Sequence, residues 1–549
     1  MKVFERLAQA FKAEGVTATF GMMGDGNMLW LSEMHRLGVK VHEVRHEGAG
    51  LGMADGMART TGQPGVATTT CGPGVTQLAT SLVVASRARS PVVAFCGEHP
   101  ISDDEYNQRL DQARFAEACE TGFVRLGIEQ DTDECVRKAF YKARTESRPV
   151  MLSVPMDLQT RNFEDDEPYV PSTTLITPWP VHPDPRAIEA AADIIAGSRK
   201  PLIIVGKGAR RANAGPEILR LAERIGALIA TSLLAKTWLN EDEFHAGISG
   251  SYANRTAINY FHEVDCVIGF GASLNRYTTE NGYLYPEARF VQFDTQPGVV
   301  MAGVKGAQCY VQSDAKAGAE ALDKALGVRG FRQTGFRTPE IRAKLKLQFE
   351  DPTEFALDPG TLDPRKACLL IDEMVPPEIG MISGTGMVAN ISNMVMRRQR
   401  PLSMASHAFG CIGQMMPAAM GAIVATGNQP LVLLNGDAST MMHLGEFETA
   451  VRYGMPLLIV VMNNEALGPE YYSLELKKRD PMTAIVTTPD LGAVGTALGG
   501  RGALVRKLDD LRAAIQSWVD KPGPMIIDVR VSRTVLPIPY RRIYHGSND

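Results

Sequence analysis

Long hydrophobic runs are missing from this chain. No stretch approaches the roughly 18 consecutive apolar residues that mark a membrane-spanning helix, so no membrane partner is expected. An excess of basic charge is missing too. The 57 lysines and arginines are outnumbered by 62 acids, giving a net charge of −5 and no electrostatic footprint for nucleic acid. The eight cysteines show no C-x-x-C spacing. That excludes a zinc-ribbon site or a disulfide framework and reads as packed, reduced residues of a cytoplasmic protein. The N-terminal MKVFERLAQAFKAEG interleaves charges with its apolar residues, as an amphipathic helix does and a signal peptide does not.

What is present is length and alternation. At 549 residues the chain exceeds a single core. Two proline-rich, acidic stretches, 161–185 and about 329–364, read as linkers without regular structure. They leave three expected domains, 1–165, 183–328 and 360–549. Each alternates short apolar runs with amphipathic helical stretches. "PVVAFCG" and "RPVMLSVP" stand in the first, "KPLIIVGKGA" and "DCVIGFGA" in the second, "QPLVLLNGD" and "PLLIVVMNN" in the third. Continuous apolar strands separated by helices predict an α/β fold, each domain a mainly parallel sheet flanked by helices. Such sheets bind ligands at the carboxyl ends of their strands.

Asp437 lies at one of those ends. The strand LVLLN runs into Gly436-Asp437, and a helical stripe of Met442, Leu444, Phe447 and Val451 follows. The next apolar strand ends in Asn463-Asn464. In a β-α-β unit the two strands are neighbours, which brings Asp437 and Asn464 to adjacent strand ends. A carboxylate and an amide oxygen form a hard donor set for Mg²⁺ or Ca²⁺. Gly436, Ala438 and Ser439 are small enough to open the following helix start to a phosphate. Taken alone, Gly436-Asp437 reads first as a helix cap and Asn463-Asn464 as a turn; taken together, the capping and ligand readings weigh about the same.

"NGDAST…VVMNNEALG" resembles the thiamine diphosphate motif, GDG or GDA followed by NN. "RHEGAGLGMADGMART", "TTTCGPGVTQLATSL" and "AFGCIGQMMPAAMGA" resemble three further segments of the superfamily that contains pyruvate oxidase, acetohydroxyacid synthase and pyruvate decarboxylase. The resemblance spans nearly the whole chain. It implies a pyrimidine-binding first domain, a Rossmann-like middle domain and a diphosphate- and Mg²⁺-binding third domain. Glu47 matches the glutamate that shares a proton with N1′ of the aminopyrimidine, a role that needs a carboxyl held away from water. Asp437, Asn464 and the carbonyl of Ala466 match the metal ligands. Gly436, Ala438 and Ser439 match the diphosphate loop, and Thr385 and Gly386 stand at another strand end within reach of it. Ile412 matches the apolar residue under the bent cofactor, and Gly410 the carbonyl at the pyrimidine edge. The domains of such enzymes meet across subunits, so a homodimer or homotetramer with shared active sites is implied.

The implied activity is a lyase or carboligase acting on a 2-oxo acid or a 2-hydroxy ketone (acyloin) through a C2-bound carbanion/enamine. Acetohydroxyacid-synthase-like transfer, a flavin-linked oxidase and a non-catalytic homologue are the alternatives. Asp25 in "MMGDGN" and Glu470 stand where decarboxylases of the superfamily carry catalytic acids, but Asn107-Gln108 replaces their His-His pair. His99 and His407 are further proton-shuttle candidates. Glu98 beside His99, Thr70 and Cys71 are possible pocket residues, with Cys71 favoured as a packed one. Gly206-Lys207-Gly208 after a strand is a weak dinucleotide signal. FAD stays open there, though "SLNRYTTENG" weighs against it, and a nicotinamide dehydrogenase would rest on that signal alone. Arg541 and Arg542 in the C-terminal tail could meet an acidic substrate or remain solvated.

Overall fold

The computed structural model describes residues 1–128, 131–164, 167–176, 180–296, 306–346, 353–405 and 408–545. Three six-stranded sheets carry the chain, and every strand pairing in them is parallel. The first holds β1 (Ala18–Gly21), β2 (Lys40–Glu43), β3 (Gly65–Thr69), β4 (Val92–Glu98), β5 (Gly122–Arg125) and β6 (Pro149–Pro155), in the order β2-β1-β3-β4-β6-β5. The second holds β7 (Pro201–Val205), β8 (Leu228–Thr231), β9 (His245–Ile248), β10 (Cys266–Phe270), β11 (Arg289–Asp294) and β12 (Cys309–Gln312), in the order β12-β11-β10-β7-β8-β9. The third holds β13 (Gly380–Ser383), β14 (Ser403–Ala405), β15 (Leu431–Gly436), β16 (Leu457–Asn463), β17 (Arg501–Val505) and β18 (Met525–Arg530), in the order β14-β13-β15-β16-β18-β17. The outer domains therefore share one strand order. The middle domain has the doubly wound order that places ligands at a central switch point.

The central strands β4, β7, β10 and β16 are buried at every position. Helices on both faces close off water, so apolar residues are needed on both sides of each strand. Among the described residues no helix is long and apolar enough to cross a membrane. All eight cysteines are free, and seven of them are buried.

The first and third domains share a core. Helix Glu47–Thr61 lies on helix Met415–Ala425, and Leu51, Met53 and Ala54 pack in one cluster with Met416, Ala419 and Met420. The approach is close enough to dictate glycine. A Cβ on Gly56 would collide with the Ala418 carbonyl, and one on Gly421 with the Met53 carbonyl. Gly56→Ala is therefore expected to destabilise by about 1–3 kcal/mol, the usual range for overpacking, and to lower the thermal midpoint in a calorimetric scan. An unchanged midpoint would contradict this packing.

Two sequence expectations are corrected. The second linker contains a helix, Pro339–Lys346, started by Pro339 and by the Thr338 hydroxyl accepting the Ile341 N–H at 3.3 Å. Its buried Leu345 joins the middle-domain core, which few apolar residues in a charged stretch had concealed. The continuous stripe after Asp437 is broken. Helix Asp437–Met442 ends at His443 and a separate helix Gly445–Arg452 follows. Met442 is exposed while Phe447 is buried, because the break turns the second helix toward the first domain.

Candidate active site

Strand β15 pairs with β16 from Leu431↔Leu457 to Gly436↔Met462, so Asp437 and Asn464 do emerge from neighbouring strand ends. Thr385 and Gly386 leave β13 on the other side of β15, where the strand order reverses. This crevice belongs to a cavity of about 1390 Å³. Thr385, Gly386, Gly410, Ile412, Gly436, Asp437, Ala438, Ser439, Asn464, Ala466 and Glu470 all line it.

Asp437 is 3% exposed, and its Oδ2 has no hydrogen-bond partner. Burial pushes its carboxyl up to about 7, even though main-chain amides at the helix start oppose the rise. A buried, half-satisfied carboxylate needs a cation or a proton. Among the described residues no cluster of three or more His, Cys, Asp and Glu side chains forms a metal site. A cation at Asp437 would therefore rely on neutral oxygens beside it, and Asn464 and the Ala466 carbonyl are such groups.

The two asparagines after β16 have different tasks. Asn463 donates to Thr488 at 2.8 Å and to Asp528 at 3.0 Å, which ties it into the sheet. Asn464, the next residue, lies on the cavity side. It accepts from the Ala466 amide at 3.2 Å and contacts Met387 Sδ at 3.8 Å. Strand alternation decides which residue of the pair faces the site.

The loop that carries Gly410 and Ile412 is fixed to the Asp437 helix. Ser439 Oγ donates to Asn435 Oδ1 at 2.7 Å and accepts the Gly413 N–H at 2.9 Å. Thr385 Oγ1 donates to the Cys411 carbonyl at 2.8 Å. Gly413 has φ +92°, and a Cβ there would press on His443 and Met442. The Ser439 hydroxyl is thus engaged, and its main-chain N–H in the first helical turn is what it offers a ligand.

Glu47, Asp25 and His99 lie elsewhere. Glu47 opens helix Glu47–Thr61 behind the cap residue His46, whose Nδ1 accepts the Gly48 N–H at 3.0 Å. A methyl on Gly74 would touch Glu47 and Thr70 together, and the Thr70 hydroxyl accepts the Gly26 N–H at 3.2 Å. Glu47, Thr70 and the Asp25 loop therefore share the carboxyl edge of the first sheet. None of Glu47, Asp25 and His99 lines the Asp437 cavity of the same chain. Asp25 is exposed, and His99 is half-buried with Nδ1 unpartnered. Glu98 is held by Arg125 and by Ser153 at 2.7 Å. Cys71 is buried, donates to Gln108 Oε1 at 3.0 Å, and has its thiol pushed up by burial. His407 lies outside the described residues.

Sequence reasoning did not find how far the cavity reaches. It continues to the strand ends of the middle domain, where Lys207, Asn275, Asp294 and Asp314 line it. Lys207 Nζ donates to the Ala88 carbonyl of the first domain at 2.8 Å. Burial, with Arg211, Arg59 and Arg89 nearby, lowers the lysine to about 7 against the pull of Asp55. The tail helix Ile538–His545 brings Tyr540 to the cavity wall, and Arg542 pairs with Glu280 of the middle domain rather than remaining solvated.

A buried acid with one unpartnered oxygen, an amide oxygen and a carbonyl thus stand together at the switch point of a parallel sheet, a donor set of the kind that suits a hard cation. Residues 1–115 match the family described as thiamine pyrophosphate enzyme, N-terminal TPP binding domain; residues 188–322 match its central domain; residues 384–529 match its C-terminal TPP binding domain. The acetolactate synthase large subunit of Haemophilus influenzae is 27% identical over 98% of this chain and 96% of its own length. Sulfoacetaldehyde acetyltransferase of Castellaniella defragrans is 26% identical over 98% and 94%. Acetolactate synthase isozyme 2 large subunit of Escherichia coli is 26% identical over 96% and 94%. The chain belongs to the thiamine pyrophosphate enzyme superfamily, with all three of its domains.

Proposed function

We propose that this protein is a thiamine-diphosphate- and Mg²⁺-dependent lyase or carboligase that acts on a 2-oxo acid and passes the remaining fragment to a carbonyl acceptor, in the manner of an acetolactate synthase. The unpartnered Oδ2 of Asp437 carries the reading. Asp437, Asn464 and the Ala466 carbonyl would hold the cation, and the amides of the Gly436–Ser439 turn would receive the diphosphate. Thiamine diphosphate held there would supply a carbon nucleophile and an electron sink for breaking the bond next to the substrate carbonyl. Ile412 would support the cofactor's bend and the Gly410 carbonyl its pyrimidine edge. Glu47 would hold or release a proton at the pyrimidine nitrogen. Glu470 is exposed at the cavity wall, where it would meet substrate and not cofactor.

Glu47 lies apart from the cavity of its own chain, which supports a homodimer or homotetramer in which it completes the site of a second copy. Asp25 and His99 on the same sheet edge would face that shared site. The free cysteines support a reducing, cytoplasmic setting. The reach of the cavity onto the middle-domain strand ends favours a second reading, in which a nucleotide such as FAD occupies that compartment. A flavin spectrum in the purified protein would decide for it.

The test is a panel of 2-oxo acids with thiamine diphosphate and Mg²⁺. CO₂ release is followed with and without an aldehyde or a second 2-oxo acid as acceptor. The expected result is cofactor-dependent CO₂ release with a new carbon–carbon bond in the product when acceptor is present. No turnover of any 2-oxo acid or acyloin overturns the proposal.

A further inference from the structure

Glu446 lies on the second of the two short helices after Asp437, at the seam between the third and first domains, and is 1% exposed. Its Oε1 accepts the main-chain N–H of Arg45 at 2.9 Å, and its Oε2 is buried without a hydrogen-bond partner. Burial pushes this carboxyl up, while the Thr449 hydroxyl and the amides of Arg45 and His46 pull it the other way. The same helix grips the chain just before Arg45. Arg452 donates to the Glu43 carbonyl at 2.8 Å, and the Tyr453 hydroxyl accepts the Glu43 N–H at 2.8 Å. The Arg45 side chain pairs with Glu448 at 2.7 Å. One residue further on, the ring of His46 meets that of His443 edge to face at 5.7 Å. Glu47 comes next.

Core packing gives no reason for a buried acid with one oxygen left over, since such a group is destabilising by itself. The exposed Arg45–Glu448 pair contributes little. What Glu446 supplies is a fixed acceptor at the entry to helix Glu47–Thr61, where amide donors have no partner within the helix.

We propose that Glu446 is a positioning residue for Glu47. By holding the Arg45 amide from the third domain, it sets the path of residues 43–46 into the helix and so the direction in which the Glu47 carboxyl meets the cofactor. The inference rests on the reading of Glu47 as the group that meets the aminopyrimidine. It adds to that reading a cross-domain part, attached ten residues or fewer from the Asp437 anchor of the same chain.

The test uses the full chain. Glu446→Gln keeps an oxygen for the Arg45 amide; Glu446→Ala removes it. In cofactor-free protein, amide hydrogen exchange over residues 43–48 is expected to rise about tenfold or more in the alanine variant and to stay within about threefold in the glutamine variant. In the holoenzyme, exchange of the cofactor's C2 proton is expected to slow by about 10–100-fold in Glu446→Ala, with cofactor affinity and KM nearly unchanged, so the loss appears in kcat. Glu446→Gln is expected to rescue both readouts. Should the alanine variant not fold, Glu446→Asp, one methylene shorter, serves for the same comparison. Wild-type C2-proton exchange in Glu446→Ala, or unchanged amide exchange at 43–48, overturns the proposal. Wild-type C2-proton exchange in Glu47→Gln marks instead the failure of the Glu47 reading.

Discussion

Asp437→Asn is expected to lose Mg²⁺-dependent cofactor binding while keeping the fold. The substitution preserves the size of the side chain and removes its charge. In the proposed cation site the buried carboxylate would be the anionic donor, beside an amide and a carbonyl that line the same cavity. Removing one charged partner of a buried pair costs about 3–5 kcal/mol, or roughly 10²–10⁴ in affinity. Titration of thiamine diphosphate with and without Mg²⁺ measures this directly, and an unchanged Mg²⁺ requirement would move the cation elsewhere. A second readout is pH. The carboxyl is held up at about 7 against its ordinary 3.8 because burial disfavours the charge. Between those values the folded, cofactor-free chain keeps a proton that the unfolded chain has released. This group therefore makes stability fall as pH rises from about 4 to about 7, with no further loss above that. Asp437→Asn cannot ionise, so the slope due to this residue should vanish in thermal melts of the cofactor-free variant.

Glu47→Gln is expected to lower turnover by about 10²–10⁴-fold, the range for removal of a positioned acid–base group. The thermal midpoint should stay at the wild-type value. Glu47 is half-buried at a helix start whose cap is made by His46, so the glutamine finds the same space and the cap persists. Cofactor affinity should change little, because the proposed diphosphate and cation contacts would lie on the third domain. The pattern of full binding with lost turnover separates this variant from Asp437→Asn. Near-normal kcat in Glu47→Gln would remove Glu47 from the reaction.

The contrast between the two acids explains what could be read in the sequence. Strands β15 and β16 are apolar runs up to a terminal asparagine, Asn435 and Asn463, and their endings declare themselves because Asp437 and Asn464 follow within two residues of it. That Asp437 and Asn464 meet at neighbouring strand ends was legible for that reason. Asn464 was legible there from the sequence, but the separate task of Asn463, tied to Thr488 and Asp528, was not. The break at His443 was hidden as well, because the apolar pattern from Met442 to Val451 satisfies a single helix. Only the packing of the second helix against residues 43–46 rewards two. Glu446 passed unnoticed for the same reason: an acid on a helix reads as a solvated one until a second domain covers it. The extent of the cavity onto Lys207 and Asp294 likewise depends on how separate domains sit together, which local patterns do not encode.

The contact of Gly56 with the Ala418 carbonyl, and of Gly421 with the Met53 carbonyl, has a consequence for descent and for engineering. Each domain carries a residue whose permitted size is dictated by the backbone of the other. A first domain grafted from a distant homologue would have to bring its own partner helix or match this one at both glycines. The outer domains share a strand order, yet this helix pair constrains them to vary together, while the core of the middle domain is its own and imposes no such constraint.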